Sequence, residues 1–223
     1  LIEAVIFDLD GVIVDSEQVW DRVRRGFVQA HGGTWREDSS RHMMGLSTRE
    51  WAHYLTADLG VQLSDDEVAD QVIEEMKRDY ERHLPMVAGA AAAVRRLSAG
   101  WRLAVASGSP ISLIDAVLEG GSIQTAFHVL VSSDEVAAGK PSPDVYLEAA
   151  RRLKVSIQRC AVVEDSSNGI KSAATAGASI IAVPNRMYPP DESVLRLADV
   201  MLADINHLTP QAVSRLNAKS GGR

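Results

Sequence analysis

A chain of 223 residues, 46% hydrophobic and 24% charged, can bury a full core as one large domain or as one domain carrying an insertion. Its formal net charge of -7 disfavours a general nucleic-acid or anionic-membrane binder, and no apolar run reaches the length of about 18 residues that a membrane span needs. The one cysteine, Cys160, excludes an intrachain disulfide and fits a reducing, cytoplasmic compartment, where it reads as a small buried hydrophobe. The N-terminal stretch carries Glu3, Asp8 and Asp10 in place of the basic region and long apolar core of a signal peptide.

Residues 3–7 read as a short buried strand. It ends in Asp8 and Asp10, two carboxylates one residue apart, followed by Gly11, a second apolar run and Asp15. Acids so close repel each other and call for a compensating charge, most simply a bound cation. The plainer alternative is a strand followed by a solvated turn. From Glu17 to His31 the pattern turns helical: Val19, Val23, Phe27 and Ala30 fall at spacings of three and four, with Asp21, Arg22, Arg24 and Arg25 between them. Polar residues continue to Gly45. A helix then opens at Ser47-Thr48-Arg49-Glu50 and runs through Trp51, Tyr54 and Leu55 towards Gly60. Ser64 and Glu67 form a capping box for a long helix that Pro85 ends. Nothing from 17 to 84 alternates like a strand.

After Pro85, helices over 89–97, 111–118, 143–153 and 169–176 interleave with strands over 102–106, 128–131, 160–163 and 179–183. A short strand over 199–202 and a helix over 210–216 follow. This alternation predicts a Rossmann-like α/β fold, a parallel sheet with helices on both faces. The helical block interrupts it as an inserted all-helical cap. The expected division is a catalytic core of residues 1–16 and 86–217, a cap of residues 17–85, and a flexible tail of residues 218–223. The hinges fall near 14–18 and 83–88.

In an open parallel sheet the ligand crevice lies at the carboxyl ends of the strands. Four strand exits converge there. The first delivers Asp8 and Asp10, the second Ser107-Gly108-Ser109, the third Gly139-Lys140-Pro141 and the fourth Glu164-Asp165-Ser166. Carboxylates without His or Cys suit a hard, oxygen-loving cation, with Mg²⁺ the natural choice. Lys140 adds a fixed positive charge, and Ser107 with the N–H groups after it can hold phosphate oxygens. The parts match phosphoryl transfer. Taken singly they are weaker: Lys140 could be a surface lysine, Ser107 a helix N-cap, and Ser166 and Asn168 caps of the helix after Asp165. Asp134 and Glu135 read as surface residues, Asp15 as part of the hinge, and Trp20, Trp51 and Tyr54 as cap core.

The pattern resembles the haloacid dehalogenase superfamily, in its phosphatase and β-phosphoglucomutase-like branch with a helical cap. Asp8 to Ser16 matches the first motif, D-x-D-G-[VT]-[IL]-x-[DN]-[ST], throughout; Ser107 stands at the second, Lys140 at the third and Glu164-Asp165 at the fourth. The resemblance covers nearly the whole chain, in order. It implies that Asp8 is the nucleophile and that Asp10 is the general acid and base. It further implies that Asp8, the Asp10 backbone carbonyl and Asp165 bind Mg²⁺ with Glu164 at or next to it, and that Ser107, Gly108 and Lys140 hold the phosphoryl group. An Asp at the second position fits a leaving alkoxide, which needs a proton, and not a halide.

The implied activity is a Mg²⁺-dependent phosphatase of a small phosphorylated metabolite, a sugar or polyol phosphate, with a monomer as the default state. Within the cap, Ser47 and Arg49 in the elbow from Gly45 are the candidates for substrate specificity. The alternatives are a β-phosphoglucomutase-type phosphohexomutase and a non-catalytic binding or regulatory protein on the same fold. Trp20 stands about where the β-phosphoglucomutases carry a histidine, which favours the phosphatase; the presence of every acid and the lysine disfavours the binder.

Overall fold

The computed structural model describes residues 1–216; the expected tail 218–223 lies outside the described residues. Six parallel strands form one sheet in the order β3-β2-β1-β4-β5-β6. They are β1 (Ala4–Phe7), β2 (Arg102–Ser107), β3 (Val129–Ser132), β4 (Cys160–Glu164), β5 (Ser179–Ala182) and β6 (Val200–Met201). β1 and β4 are buried along their whole length, because helices cover both faces and alternate residues point to opposite sides. Val5, Phe7, Leu103, Val105, Ala161 and Val163 face one core. Ala4, Ile6, Ala104, Ala106, Cys160 and Val162 face the other. The first core is covered by α5 (Ala90–Ser98) and α6 (Ile111–Gly120), and the second by α7 (Asp144–Leu153) and α8 (Ser167–Ala176). Cys160 is fully buried there, and burial pushes its thiol up to about 12.

Between β1 and α5 lies the helical segment: α1 (Glu17–Ala30), α2 (Ser39–Met43), α3 (Thr48–His53) and α4 (Asp65–Arg82). α3 continues as a π-helical turn over Tyr54–Asp58. The segment's entry and exit run side by side. Val14 bridges Met86, the Asp15 N–H donates to the Pro85 carbonyl at 2.7 Å, and the Val87 N–H donates to the Ile13 carbonyl at 3.0 Å. The two connections therefore form a paired ribbon. Ser64 and Glu67 make the expected capping box at the start of α4, and Ser47 and Glu50 make another at the start of α3.

Three local departures from the sequence reading have physical causes. α2 lies in the stretch read as polar loop; Ser39 and Ser40 are buried in it, their hydroxyls bonded to Tyr54 and Asp21, so polar residues face inward without cost. α9 (Glu192–Leu195) is a single turn with no periodic signal of its own. In α1 the buried face is Val19, Trp20, Val23, Arg24 and Val28. Phe27 is only half-buried and Ala30 exposed, so the stripe is rotated and takes in an arginine. α10 (Pro210–Ser214) closes the described chain and sends Val213 into the first core. Among the described residues no helix is long and apolar enough to cross a membrane.

Candidate active site

Parallel pairing puts the carboxyl ends of β1, β2 and β4 on one edge of the sheet, and the strand order reverses at β1, which opens a crevice there. Asp8 follows β1 directly, and its N–H donates to the Val163 carbonyl at 3.0 Å. The chain then turns at Gly11, whose φ of 80° is in the left-handed region. A Cβ there would overlap the Asp165 carboxylate, so glycine provides both the turn and the room for Asp165 beside the loop. Gly169 does the same for Glu164: a side chain would overlap its carboxyl group.

The Lys140 side chain is fully buried and its Nζ lies 2.8 Å from Asp8 Oδ1 and 2.7 Å from Glu164 Oε1. Glu164 Oε1 also accepts from the Tyr146 hydroxyl at 2.6 Å. Glu164 Oε2 accepts from the backbone N–H groups of Asp165 and Ser166 at 2.9 and 3.1 Å, and from Ser166 Oγ at 3.1 Å. Both oxygens of Glu164 are thus committed, and it anchors Lys140. Asp165 has one oxygen, Oδ2, accepting from Asn185 Nδ2 at 2.9 Å, while its Oδ1 is buried without a partner.

Asp8, Glu164 and Asp165 each present an oxygen within 4.8 Å of the others. Three carboxylates surround one ammonium. Burial works against the Lys140 charge, but Asp8 and Glu164 more than offset it and hold its pKa above the usual lysine range. Burial and the Glu164 charge raise Asp8, and burial with the charges of Glu164 and Glu17 raises Asp165. A buried orphan oxygen within an all-carboxylate donor set that is short of positive charge fits a hard divalent cation.

Asp10 sits apart from this cluster and faces the helical segment. Its Oδ1 accepts from Ser16 Oγ at 2.5 Å and Trp20 Nε1 at 3.1 Å, and its Oδ2 from Ser107 Oγ at 3.2 Å and Ser109 Oγ at 2.7 Å. Ser107 is not a helix N-cap, since Pro110 takes that position; its Oγ also accepts from the Ser109 N–H at 3.0 Å. Ser166 does cap α8, accepting from the Gly169 N–H at 3.1 Å. Asn168 instead donates its side-chain amide to the Met44 carbonyl across to the helical segment at 3.0 Å.

The loop after α2 closes over the crevice. The Lys140 N–H donates to the Gly45 carbonyl at 3.2 Å, and Gly108 packs so close beneath Gly45 and Leu46 that a Cβ would collide with their backbone. Thr48 donates its N–H and hydroxyl to Asp134 at 2.8 and 2.7 Å, so this exposed acid ties the helical segment to the sheet. The cavity beneath has a volume of about 30 Å³ and is lined by Asp8, Asp10, Glu17, Trp20, Arg24 and Trp51, among others. That is room for about a water or two.

Ser47 and Arg49 do not line this cavity. They line a separate, open cleft with His53, Asp65 and Asp134, because the Ser47 hydroxyl is held by Glu50 at 2.6 Å and Arg49 is exposed at the first turn of α3. The cavity instead receives Glu17, Trp20 and Arg24, which the sequence reading left out of the site. They stand at i, i+3 and i+7 on α1, one helical face. A charge at each end of a buried stripe was the available signal. Trp20 and Trp51 are buried, as cap core would be, yet they also line the cavity with Asp8 and Asp10.

Fold and site together define an α/β protein with an inserted helical segment, whose sheet gathers buried carboxylates and one buried lysine at its carboxyl edge. A family model described as haloacid dehalogenase-like hydrolase matches residues 2–177. A phosphorylated carbohydrates phosphatase of Thermotoga maritima is 34% identical over 78% of this chain and 82% of its own length. Hexitol phosphatase B of Escherichia coli K12 is 31% identical over 92% of this chain and 94% of its own. The crystal structure of CbbY from Rhodobacter sphaeroides, in complex with phosphate, superposes with a TM-score of 0.84 at 27% identity over 97% of this chain and 100% of that one. The chain belongs to the haloacid dehalogenase-like hydrolase family, and it is an enzyme of the phosphoric monoester hydrolase kind.

Glu17 yields a pH prediction. Burial and the Asp10 charge, opposed by Arg24, raise its pKa from 4.5 to about 8. The folded state then holds a proton that the unfolded state releases, so this contribution to stability is full below about 4.5 and is lost as pH rises towards 8. In metal-free protein, urea denaturation should show stability falling across that window by on the order of a few kcal/mol. Glu17→Gln should flatten the fall; an unchanged slope in the variant refutes the assignment.

Proposed function

We propose that the chain is a Mg²⁺-dependent phosphatase that hydrolyses a small phosphorylated sugar or polyol through a phosphoryl group carried on Asp8. The observation that carries this reading is the Lys140 bridge between Asp8 and Glu164 beside an orphan Asp165 oxygen. It amounts to a nucleophile held ready and a cation site one charge-set short. The substrate class is supported by the relatives, named for phosphorylated carbohydrates and for hexitols.

In the first step an Asp8 oxygen attacks phosphorus as the bond to the leaving oxygen breaks, and Asp10 gives that oxygen its proton. In the second, Asp10 takes a proton from water, whose oxygen attacks phosphorus and frees Asp8. The Asp10 side chain is suited to both turns because Ser16, Trp20, Ser107 and Ser109 fix its orientation. Lys140 presents fixed positive charge beside Asp8, and Ser107 and Gly108 stand at the β2 exit to receive phosphoryl oxygens. Asp8, Asp165 and the Asp10 backbone carbonyl would hold Mg²⁺, with Glu164 behind them holding Lys140. When bound, the ion supplies the positive charge the carboxylates lack and offsets charge on the phosphoryl oxygens. Residues 17–85 act as the cap, moving on the paired hinge ribbon and excluding bulk water when closed.

Trp20 favours water over a sugar hydroxyl as the final acceptor. It occupies the place where the β-phosphoglucomutases that the sequence resembles carry a histidine, and its indole N–H is already given to Asp10. The buried single thiol suits a reducing cytoplasm.

Asp8→Asn should lower phosphate release from any phosphomonoester by about a thousandfold or more while thermal unfolding stays cooperative. Hydrolysis at the wild-type rate by the variant would end the proposal. Excess EDTA should silence the wild type and added Mg²⁺ should restore it, with phosphate release as the readout; full activity in chelator would remove the metal.

A further inference from the structure

We propose that Arg24 is a substrate-binding residue that selects phosphomonoesters whose leaving group carries a second anionic group. The inference rests on the phosphatase reading and adds the chemistry of the part that leaves. Arg24 is 7% exposed and lines the same cavity as Asp8 and Asp10. Its guanidinium lies over the Trp20 ring, 4.0 Å from the centroid, and 4.7 Å from the Trp51 centroid. Two indoles, one from α1 and one from α3, therefore hold its plane.

Stacking uses the faces of a guanidinium and leaves its edge free. That edge is unspent here. Arg24 Nε is buried without a hydrogen-bond partner, and among the described residues Arg24 forms no hydrogen bond or ion pair. Arg22 and Arg152 on less buried helix faces do form them, Arg22 with Asp79 and Arg152 with Glu148 and Glu135. A buried guanidinium with an empty fork is costly unless an acceptor arrives. The group that best fills a planar fork of donors, and neutralises its charge, is a carboxylate or phosphate. Glu17 and Asp10 offset its charge from a distance, but neither fills the fork, and a neutral hydroxyl accepts less strongly than an anion.

Position supports the same class. The Trp20 indole that carries Arg24 on its face gives its N–H to Asp10, so the empty fork lies on the leaving-group side of the reacting centre. The tight cavity limits the connection to a short chain. Closure of the cap over such a substrate would bring the second anion to Arg24 as the phosphoryl group meets Asp8.

The test is steady-state kinetics on matched pairs with Mg²⁺: 3-phosphoglycerate against glycerol 3-phosphate for a carboxylate, and fructose 1,6-bisphosphate against fructose 1-phosphate for a phosphate. In at least one pair the wild type should favour the anionic member by about tenfold or more in kcat/KM, mainly through a lower KM. Arg24→Gln should cut that preference by about tenfold or more, and Arg24→Lys, which keeps the charge without the fork, should recover only part of it. The pair that shows the preference tells carboxylate from phosphate. Wild-type hydrolysis of the neutral members as well as or better than the anionic ones overturns the inference and leaves the phosphatase reading standing. So does an equal loss on both members in cooperatively folding Arg24→Gln and Arg24→Lys proteins, which would mark Arg24 as a packing residue. Failure of the wild type on all four and on p-nitrophenyl phosphate overturns the phosphatase reading and the inference with it.

Discussion

Three buried carboxylates and one buried ammonium cannot balance, and the geometry of the reacting edge follows from that shortage. Lys140 lies between Asp8 and Glu164, and every device around it serves to hold the arrangement. Tyr146, two backbone N–H groups and Ser166 satisfy Glu164. Gly11 and Gly169 give up side chains so that Asp165 and Glu164 can sit beside their loops. Within this set Asp165 Oδ1 is left without a hydrogen-bond partner. Removing one member of such a buried set costs more than the pair contributes, because the remaining charges lose their compensation.

A second buried set lies across the cavity, and it belongs to the cap. Glu17, Trp20 and Arg24 come from one face of α1. Trp20 joins that set to the core through Asp10, so the proposed proton-transfer residue is positioned by both parts of the molecule. The division of labour is physical. The sheet edge offers a rigid scaffold for the charges, and on the proposed cap motion the helical segment contributes groups that arrive only on closure. The contacts at Gly45, Leu46, Thr48 and Asn168 join the helical segment to the sheet's carboxyl edge.

The sheet and the acids of its edge were legible because β1, β2 and β4 are short apolar runs that stop at a polar residue. Asp8, Ser107 and Glu164 mark those stops, Lys140 stands in the loop after β3, and parallel pairing brings them together. The cap was legible only as a helical block. Which of its polar residues line the cavity was not legible, because Arg24 looked like one charge among Asp21, Arg22 and Arg25. Two tryptophans, one of them 27 residues beyond Arg24 in the chain, make it a buried residue. Ser47 and Arg49 drew notice for their loop, yet the capping box and the first helical turn direct them elsewhere. Periodicity identifies a helix more readily than it identifies which of its polar residues a distant ring will cover.

The central claim is that this carboxylate cluster is built to take one divalent cation through Asp165. Calorimetric titration of Mg²⁺ into metal-free wild type and into Asp165→Asn tests it most directly. The account predicts a single site in the wild type and loss of that site in the variant. No binding by the wild type, or binding of undiminished affinity by Asp165→Asn, would contradict it.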